Sequence, residues 1–113
     1  MSRSWQLFLG DIIEASDRVL RYSAGKDLSA FSADEMAYDA VLRNLQIIGE
    51  AAKAIPADVL QDHPEVDWKG MAGLRDILAH AYFGLDDETP SDIVTTKVPQ
   101  LRNQVRRILD ERP

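Results

Sequence analysis

The chain has 113 residues, of which 45% are hydrophobic and 28% are charged, and its formal net charge is −6. This length and composition predict a single folded domain over residues 1–113, and they exclude a disordered chain. Cysteine is absent, which excludes disulfides and thiolate chemistry, and the acidity argues against a broad basic surface for nucleic acid while leaving room for a small basic site.

The first predicted element is an amphipathic helix. Apolar side chains recur at steps of three or four residues, which places them on one face over about five turns. These residues are Trp5, Phe8, Ile12, Ala15, Val19 and Tyr22. We expect Gly25 to cap the C-terminus of this helix.

A second helix is predicted to begin near Ala33. Ser32 is its expected N-cap, Glu35 completes a capping box, and Phe31 and Met36 occupy the two positions of a hydrophobic staple. The apolar stripe that follows contains Ala37, Val41, Leu45 (or Leu42), Ile48, Ala52 and Ile55.

Pro56 ends the second helix and opens a connector that reaches Pro64, with room for one helical turn. A third helix is predicted to begin after Asp67 as its N-cap and to end at Gly84. Its apolar stripe consists of Met71, Leu74, Leu78 and Ala81. Two further glycines near its start, Gly70 and Gly73, predict close packing, either within the monomer or against a second copy.

A fourth helix is expected to start at Thr89, with Pro90 at its first position, and to be kinked or divided at Pro99. Its apolar face continues through Leu101, Val105, Ile108 and Leu109. Segments that are apolar on one side can bury that side only against one another. We therefore predict an all-α fold, an antiparallel up-and-down bundle of four to five helices.

The third predicted helix contains the residues that point to chemistry, within the stretch LRDILAHAYFG. On a regular helix Arg75 and His80 are rotated by roughly 140° from each other, whereas Tyr82 lies within about 20° of Arg75. The apolar stripe points elsewhere, so His80 is expected to face away from the core. Histidine transfers protons near neutral pH, guanidinium binds phosphate, and Asp76 supplies an adjacent carboxylate. Metal-free RNA cleavage requires these groups, which two antiparallel copies could bring together more readily than one helix.

Ordinary interpretations stand beside this one. A lone exposed histidine on a helix more often has no chemical role, and the locally basic C-terminal stretch is more often a solvated face. That stretch contains Lys97, Arg102, Arg106, Arg107 and Arg112. The two histidines lack metal-ligand spacing, and no glycine-rich phosphate loop occurs, so neither a metal nor a cofactor is expected. Without a signal-peptide pattern or a membrane-length apolar run, we expect a cytoplasmic protein that makes no membrane contact.

The stretch RDILAHAY resembles the RX4HXY signature of HepT-type toxins in the HEPN superfamily. Similarity extends to LRNLQIIGEAAKAIP, W..MAGLRDILAHAYFGLD and VPQLRNQVRRIL, and so covers nearly the whole chain in order. This resemblance implies a HEPN-like helical bundle that forms a homodimer, with the two motifs meeting at the interface as a metal-independent endoribonuclease site. It implies that Arg75 binds the scissile phosphate, His80 acts as general acid or base, and Asp76 orients one of them.

The resemblance also implies a partner. A minimal nucleotidyltransferase antitoxin would neutralise the toxin by adding AMP to the motif tyrosine, here Tyr82. An added phosphate on the same side as Arg75 could obstruct the site or compete for the guanidinium. The alternative is a noncatalytic binding module that partners such a nucleotidyltransferase.

Overall fold

The structure is a computed structural model that describes residues 4–25, 33–82 and 92–111. Within these ranges every regular element is helical, which confirms the all-α prediction. The elements are α1 (Trp5–Ser23), α2 (Glu35–Lys53), α3 (Ala57–Asp62), α4 (Trp68–Ala72), α5 (Leu74–Tyr82), a π-helical segment (Ile93–Lys97) and α6 (Val98–Glu111). No helix in the described ranges is both long and apolar enough to cross a membrane.

One hydrophobic core joins the helices. Helix α1 packs against α2 and α6, and α2 packs in addition against α4 and α5. The largest fully buried side chains are Leu9, Ile12, Leu45, Ile48, Met71, Leu78, Ile93 and Ile108. Because full burial of such a side chain contributes about 1.5–3 kcal/mol, these contacts fix how each helix is rotated about its axis.

Helix α1 follows its predicted pattern with small differences at its ends. Trp5 and Phe8 pack against the core while remaining partly exposed, and Tyr22 is 36% exposed. Gly25 follows the C-cap residue Ala24 and has a φ of 73°, in the left-handed region that ends many helices. The predicted role of Gly25 is thus confirmed.

Helix α2 begins later than predicted, at Glu35, and its N-cap is Asp34 instead of Ser32. The Asp34 carboxylate accepts a hydrogen bond from the backbone N–H of Ala37 at 3.1 Å. Aspartate is as good a cap as serine, and its negative charge also interacts favourably with the helix N-terminus. The predicted staple is not supported by Met36, which is 85% exposed; its partner Phe31 lies outside the described residues.

The third predicted helix is divided into α4 and α5 at Gly73. Asp67 caps α4 as predicted, accepting a hydrogen bond from the N–H of Gly70 at 2.9 Å. A Cβ at Gly70 would collide with this same carboxylate. Gly70 therefore makes room for the cap and Gly73 interrupts the helix, and the nearest atoms to an added Cβ at either position belong to α4 or its cap. Packing of these glycines against another helix of the same protomer is thus not supported, whereas packing against a second copy stays a prediction. The predicted helix end at Gly84 and helix start at Thr89 lie outside the described residues.

Pro99 lies in the first turn of α6, directly after the π-helical segment. Proline lacks an N–H, and its ring crowds the carbonyl four residues earlier. The preceding backbone is wound more loosely than an α-helix: the N–H of Val98 bonds to the carbonyl of Ile93, five residues back. In place of the predicted kink or break at Pro99, the structure has a wider, π-helical turn directly before it.

Close backbone packing occurs instead at Gly49 of α2, where an added Cβ would lie 2.9 Å from the carbonyl oxygen of Ala72. Gly49→Ala is expected to lower the free energy of unfolding by about 1–3 kcal/mol, because the backbone of α4 must move. Urea denaturation followed by circular dichroism measures this change.

Gly10→Ala on α1 is the matched control, because nothing lies within 4 Å of a Cβ at Gly10. That variant should be stabilised by about 0.5–1 kcal/mol through helix propensity alone. Equal stabilisation of both variants would show that α2 and α4 are not in close contact.

Candidate active site on α5

Helix α5 separates a buried face from a polar face. Leu74 and Leu78 are buried in the core, whereas Arg75, Asp76 and His80 are exposed. The structure thus places His80 away from the core, as the helical register predicts. The side chain of Tyr82, the last residue of α5, lies outside the described part of the structure.

Asp76 is paired with Arg75. A guanidinium nitrogen, Nη1 of Arg75, lies 3.3 Å from Oδ1 of Asp76 and donates a hydrogen bond to it. The two side chains are 51% and 73% exposed, so solvent weakens this ion pair. Arginine has five N–H donors, which leaves others available for an anion such as phosphate.

Arg75 and His80 do not share a face of one protomer. They lie five positions apart on an uninterrupted α-helix, which separates them by roughly 140° of rotation and about 7.5 Å along the axis. Asp76 lies with Arg75 and not with His80. One copy of α5 therefore does not direct the guanidinium and the imidazole towards the same point.

Beside Arg75 lies an open cavity of about 350 Å³ between α2 and the α4–α5 corner. Its lining residues are Gln46, Gly49, Glu50, Lys53, Ala72, Arg75 and Asp76. The three polar residues from α2 are not evident as site residues from the sequence. Their spacing of four and then three residues indicates a polar face of α2, opposite its apolar stripe. This spacing does not indicate which helix packs beside that face.

The second histidine, His63, has a structural position. It is only 9% exposed, and its backbone carbonyl accepts a hydrogen bond from the indole Nε1 of Trp68 at 3.0 Å. Its Nδ1 lies 3.4 Å from Oε1 of Glu65. In the part of the chain that the structure describes, no group of three or more potential metal ligands is assembled.

The basic residues of α6 are partly neutralised. Nε of Arg102 lies 3.0 Å from Oδ1 of Asp17 on α1, and Nε of Arg106 lies 3.5 Å from Oδ1 of Asp110. The pair between α6 and α1 joins two packed helices, while the pair within α6 is a surface contact. These pairings favour the interpretation of this stretch as a solvated, ion-paired face.

Comparison with known proteins identifies the family. Residues 12–108 match the family described as Ribonuclease HepT-like. The chain is 38% identical over 108 residues to the probable ribonuclease HepT of Thermococcus cleftensis, covering 96% of this chain and 98% of that protein. It is 39% identical over 104 residues to a candidate RNase of Methanocaldococcus jannaschii, covering 92% of this chain and 86% of the relative.

A candidate RNase of Caldanaerobacter subterraneus is 33% identical over 104 residues, covering 92% of this chain and 93% of that protein. No solved structure gives a significant match. The family match covers the whole of α2 and α5, α1 from Ile12 onwards and α6 as far as Ile108. The chain therefore belongs to the HepT-like ribonuclease family.

Proposed function

We propose that this protein is the toxin of a toxin–antitoxin system and acts as a metal-independent endoribonuclease. The observation that carries the proposal is that Arg75, Asp76 and His80, the polar residues of the RX4HXY motif, are all exposed on one helix of a chain in a ribonuclease family. Buried Leu74 and Leu78 hold that helix against the core. These three side chains are therefore available to a substrate and are not needed for packing.

The proposed reaction is an intramolecular transesterification, in which the phosphate is transferred to the 2′-hydroxyl of the same nucleotide. A base removes the proton of the ribose 2′-hydroxyl, the 2′-oxygen attacks phosphorus, and the 5′-oxygen leaves with a proton from an acid. The products are a 2′,3′-cyclic phosphate and a 5′-hydroxyl. His80 acts as general base or general acid, and Arg75 stabilises the charge that develops on the phosphoryl oxygens. Asp76 positions the Arg75 guanidinium through the contact already described.

The proposed site is composite and lies at a homodimer interface. Arg75 and His80 point in different directions from one helix, by roughly 140°. A two-fold axis that passes near α5 would place the guanidinium of one protomer beside the imidazole of its partner.

Regulation is proposed to occur at Tyr82. A minimal nucleotidyltransferase antitoxin would transfer AMP from ATP to the phenol oxygen, with pyrophosphate as the leaving group. Helical register places Tyr82 within about 20° of Arg75 and about two turns further along α5. The added phosphate carries negative charge and would compete with RNA for the guanidinium.

Replacing His80 or Arg75 by alanine is expected to abolish growth inhibition and to lower RNA cleavage by at least about 100-fold, since each removes a group that acts on the transition state. Cleavage of total RNA in EDTA, with assay for cyclic-phosphate ends, measures the effect. Because the side chains are exposed, the stability of both variants should change by less than about 0.5 kcal/mol.

Arg107→Ala, which removes an exposed arginine from α6, is the matched control and should remain active. Full toxicity of the His80 or Arg75 variant at equal expression would refute the catalytic assignment. Intact RNA with the unmodified protein, together with tight binding to a nucleotidyltransferase, would favour the noncatalytic binding module.

Mixing the two inactive variants tests the composite site. If each site takes its arginine and its histidine from different protomers, heterodimers of Arg75→Ala and His80→Ala retain one intact site. Random assortment then restores about a quarter of the wild-type activity. Restoration is measured after co-refolding or co-expression, and no recovery from verified heterodimers would exclude this pairing.

Modification at Tyr82 is tested by intact-mass measurement after incubation with ATP and a minimal nucleotidyltransferase. The mass should rise by one AMP group or a multiple of it, and RNA cleavage should fall in parallel. Tyr82→Phe should stop the modification and remain active as a nuclease. AMP on any other residue, for example on Tyr22 or Tyr38, would overturn the assignment.

A further inference from the structure

The cavity beside Arg75 has a floor made of small residues. Gly49 of α2 and Ala72 of α4 meet there, and a Cβ on Gly49 would lie 2.9 Å from the Ala72 carbonyl oxygen. Since neither residue carries a long side chain, the surface stays depressed between two polar rims. The volume of about 350 Å³ is at the small end of the range for ligand pockets.

One rim presents hydrogen-bond acceptors. Gln46 and Glu50 lie one turn apart on α2, and Nε2 of Gln46 donates a hydrogen bond to Oε1 of Glu50 at 3.2 Å. This bond orients the carboxylate and directs the amide nitrogen towards it. The oxygen atoms that remain, on the Glu50 carboxylate and the Gln46 amide, are acceptors for N–H groups of a ligand.

The cavity also has two cationic residues. Arg75 lines it on the α5 side, and Lys53 lines it on the α2 side, in the last turn of that helix. A lysine at this position also interacts favourably with the helix C-terminus. If this interaction were the only role of Lys53, its replacement would slightly lower the stability of the protein and would leave the affinity for an anion unchanged.

We propose that this cavity is a nucleotide subsite that selects a guanine base in single-stranded RNA, with Glu50 binding the base and Lys53 an adjacent phosphate. The inference rests on the proposed function, because Arg75 would bind the scissile phosphate at the edge of the same cavity. It adds a determinant of sequence preference to a motif that itself contacts only phosphate and ribose.

Guanine is the base whose chemistry matches the rim. Its Watson–Crick edge carries two adjacent donors, N1–H and the N2 amino group, which fit the two oxygens of one carboxylate. Uracil has one N–H between two carbonyl oxygens, and these would face the acceptors of Glu50 and Gln46 unfavourably. Unstacked bases of single-stranded RNA are commonly recognised by hydrogen bonds at this edge.

Binding of uncleavable RNA tests the subsite directly. The probes are short fluorescein-labelled 2′-O-methyl oligonucleotides, one all uridine and others with a single guanosine, inosine or adenosine. Without a free 2′-hydroxyl they cannot be cut by the proposed reaction. Fluorescence anisotropy with the wild-type protein should show about tenfold tighter binding of the guanosine oligonucleotide than of all uridine. Inosine, which lacks the N2 amino group, should be intermediate.

Two variants separate the proposed contacts. Glu50→Gln should bring the guanosine-to-uridine affinity ratio close to one. Lys53→Gln should weaken binding of both oligonucleotides by the same factor and reduce the slope of log affinity against log salt by about 1. Matched controls are Asp39→Asn, an exposed carboxylate on the same helix, and Lys69→Gln, an exposed lysine on α4 that does not line this cavity. Both should bind as the wild type does.

The outcomes for the subsite and for the ribonuclease are distinct. Equal wild-type affinity for guanosine and uridine oligonucleotides, or a guanosine preference that survives Glu50→Gln, would overturn the subsite even if RNA is cleaved. A guanosine preference that depends on Glu50 would support the subsite even if unmodified RNA stays intact, in which case the proposed reaction fails alone. Thermal unfolding by circular dichroism checks that each variant is folded.

Discussion

The contact between Gly49 and Ala72 determines how the outer helices of this protein are placed. At this point the backbone of α2 approaches α4 more closely than any side chain at residue 49 would allow. Helix α4 is thereby held against α2, and α5 begins immediately after it, with Leu74 and Leu78 buried in the core. Since those two residues fix the rotation of α5, they also determine that Arg75 and His80 face outward. The same contact forms the floor of the cavity, so the site and the packing depend on a single small residue.

Much of the fold could be predicted from the sequence because hydrophobic periodicity directly encodes which face of a helix is buried. Val41, Leu45 and Ile48 lie in the core for this reason, and His80 is exposed because it falls outside the stripe of its helix. Helix ends were predicted less well. Both Ser32 and Asp34 are residue types that cap helices well, and local sequence does not decide between two such residues only two positions apart. The break at Gly73 was missed because a helix tolerates a single glycine at a cost of only about 1 kcal/mol.

The motif could be identified from the sequence, whereas the cavity could not. Arg75, Asp76 and His80 lie within one helix, so their spacing alone fixes their relative directions. The cavity combines Gln46, Glu50 and Lys53 with residues from two later helices, α4 and α5. Only the packing of α2 against α4 and α5 brings the two sets together, and a pattern within one helix contains no information about that packing. Long-range proximity is therefore what the structure adds to the sequence.

The π-helical segment before Pro99 has a consequence for how chain length can vary. A π-helical turn holds one more residue than an α-helical turn, so deletion of one residue there would restore regular winding without changing the buried face of α6. The ring of Pro99 would then press on the carbonyl four residues earlier. The additional residue of the π-helical turn therefore offsets the steric effect of the proline. A relative without proline at this position can be one residue shorter in this segment and still bury the same side of its last helix.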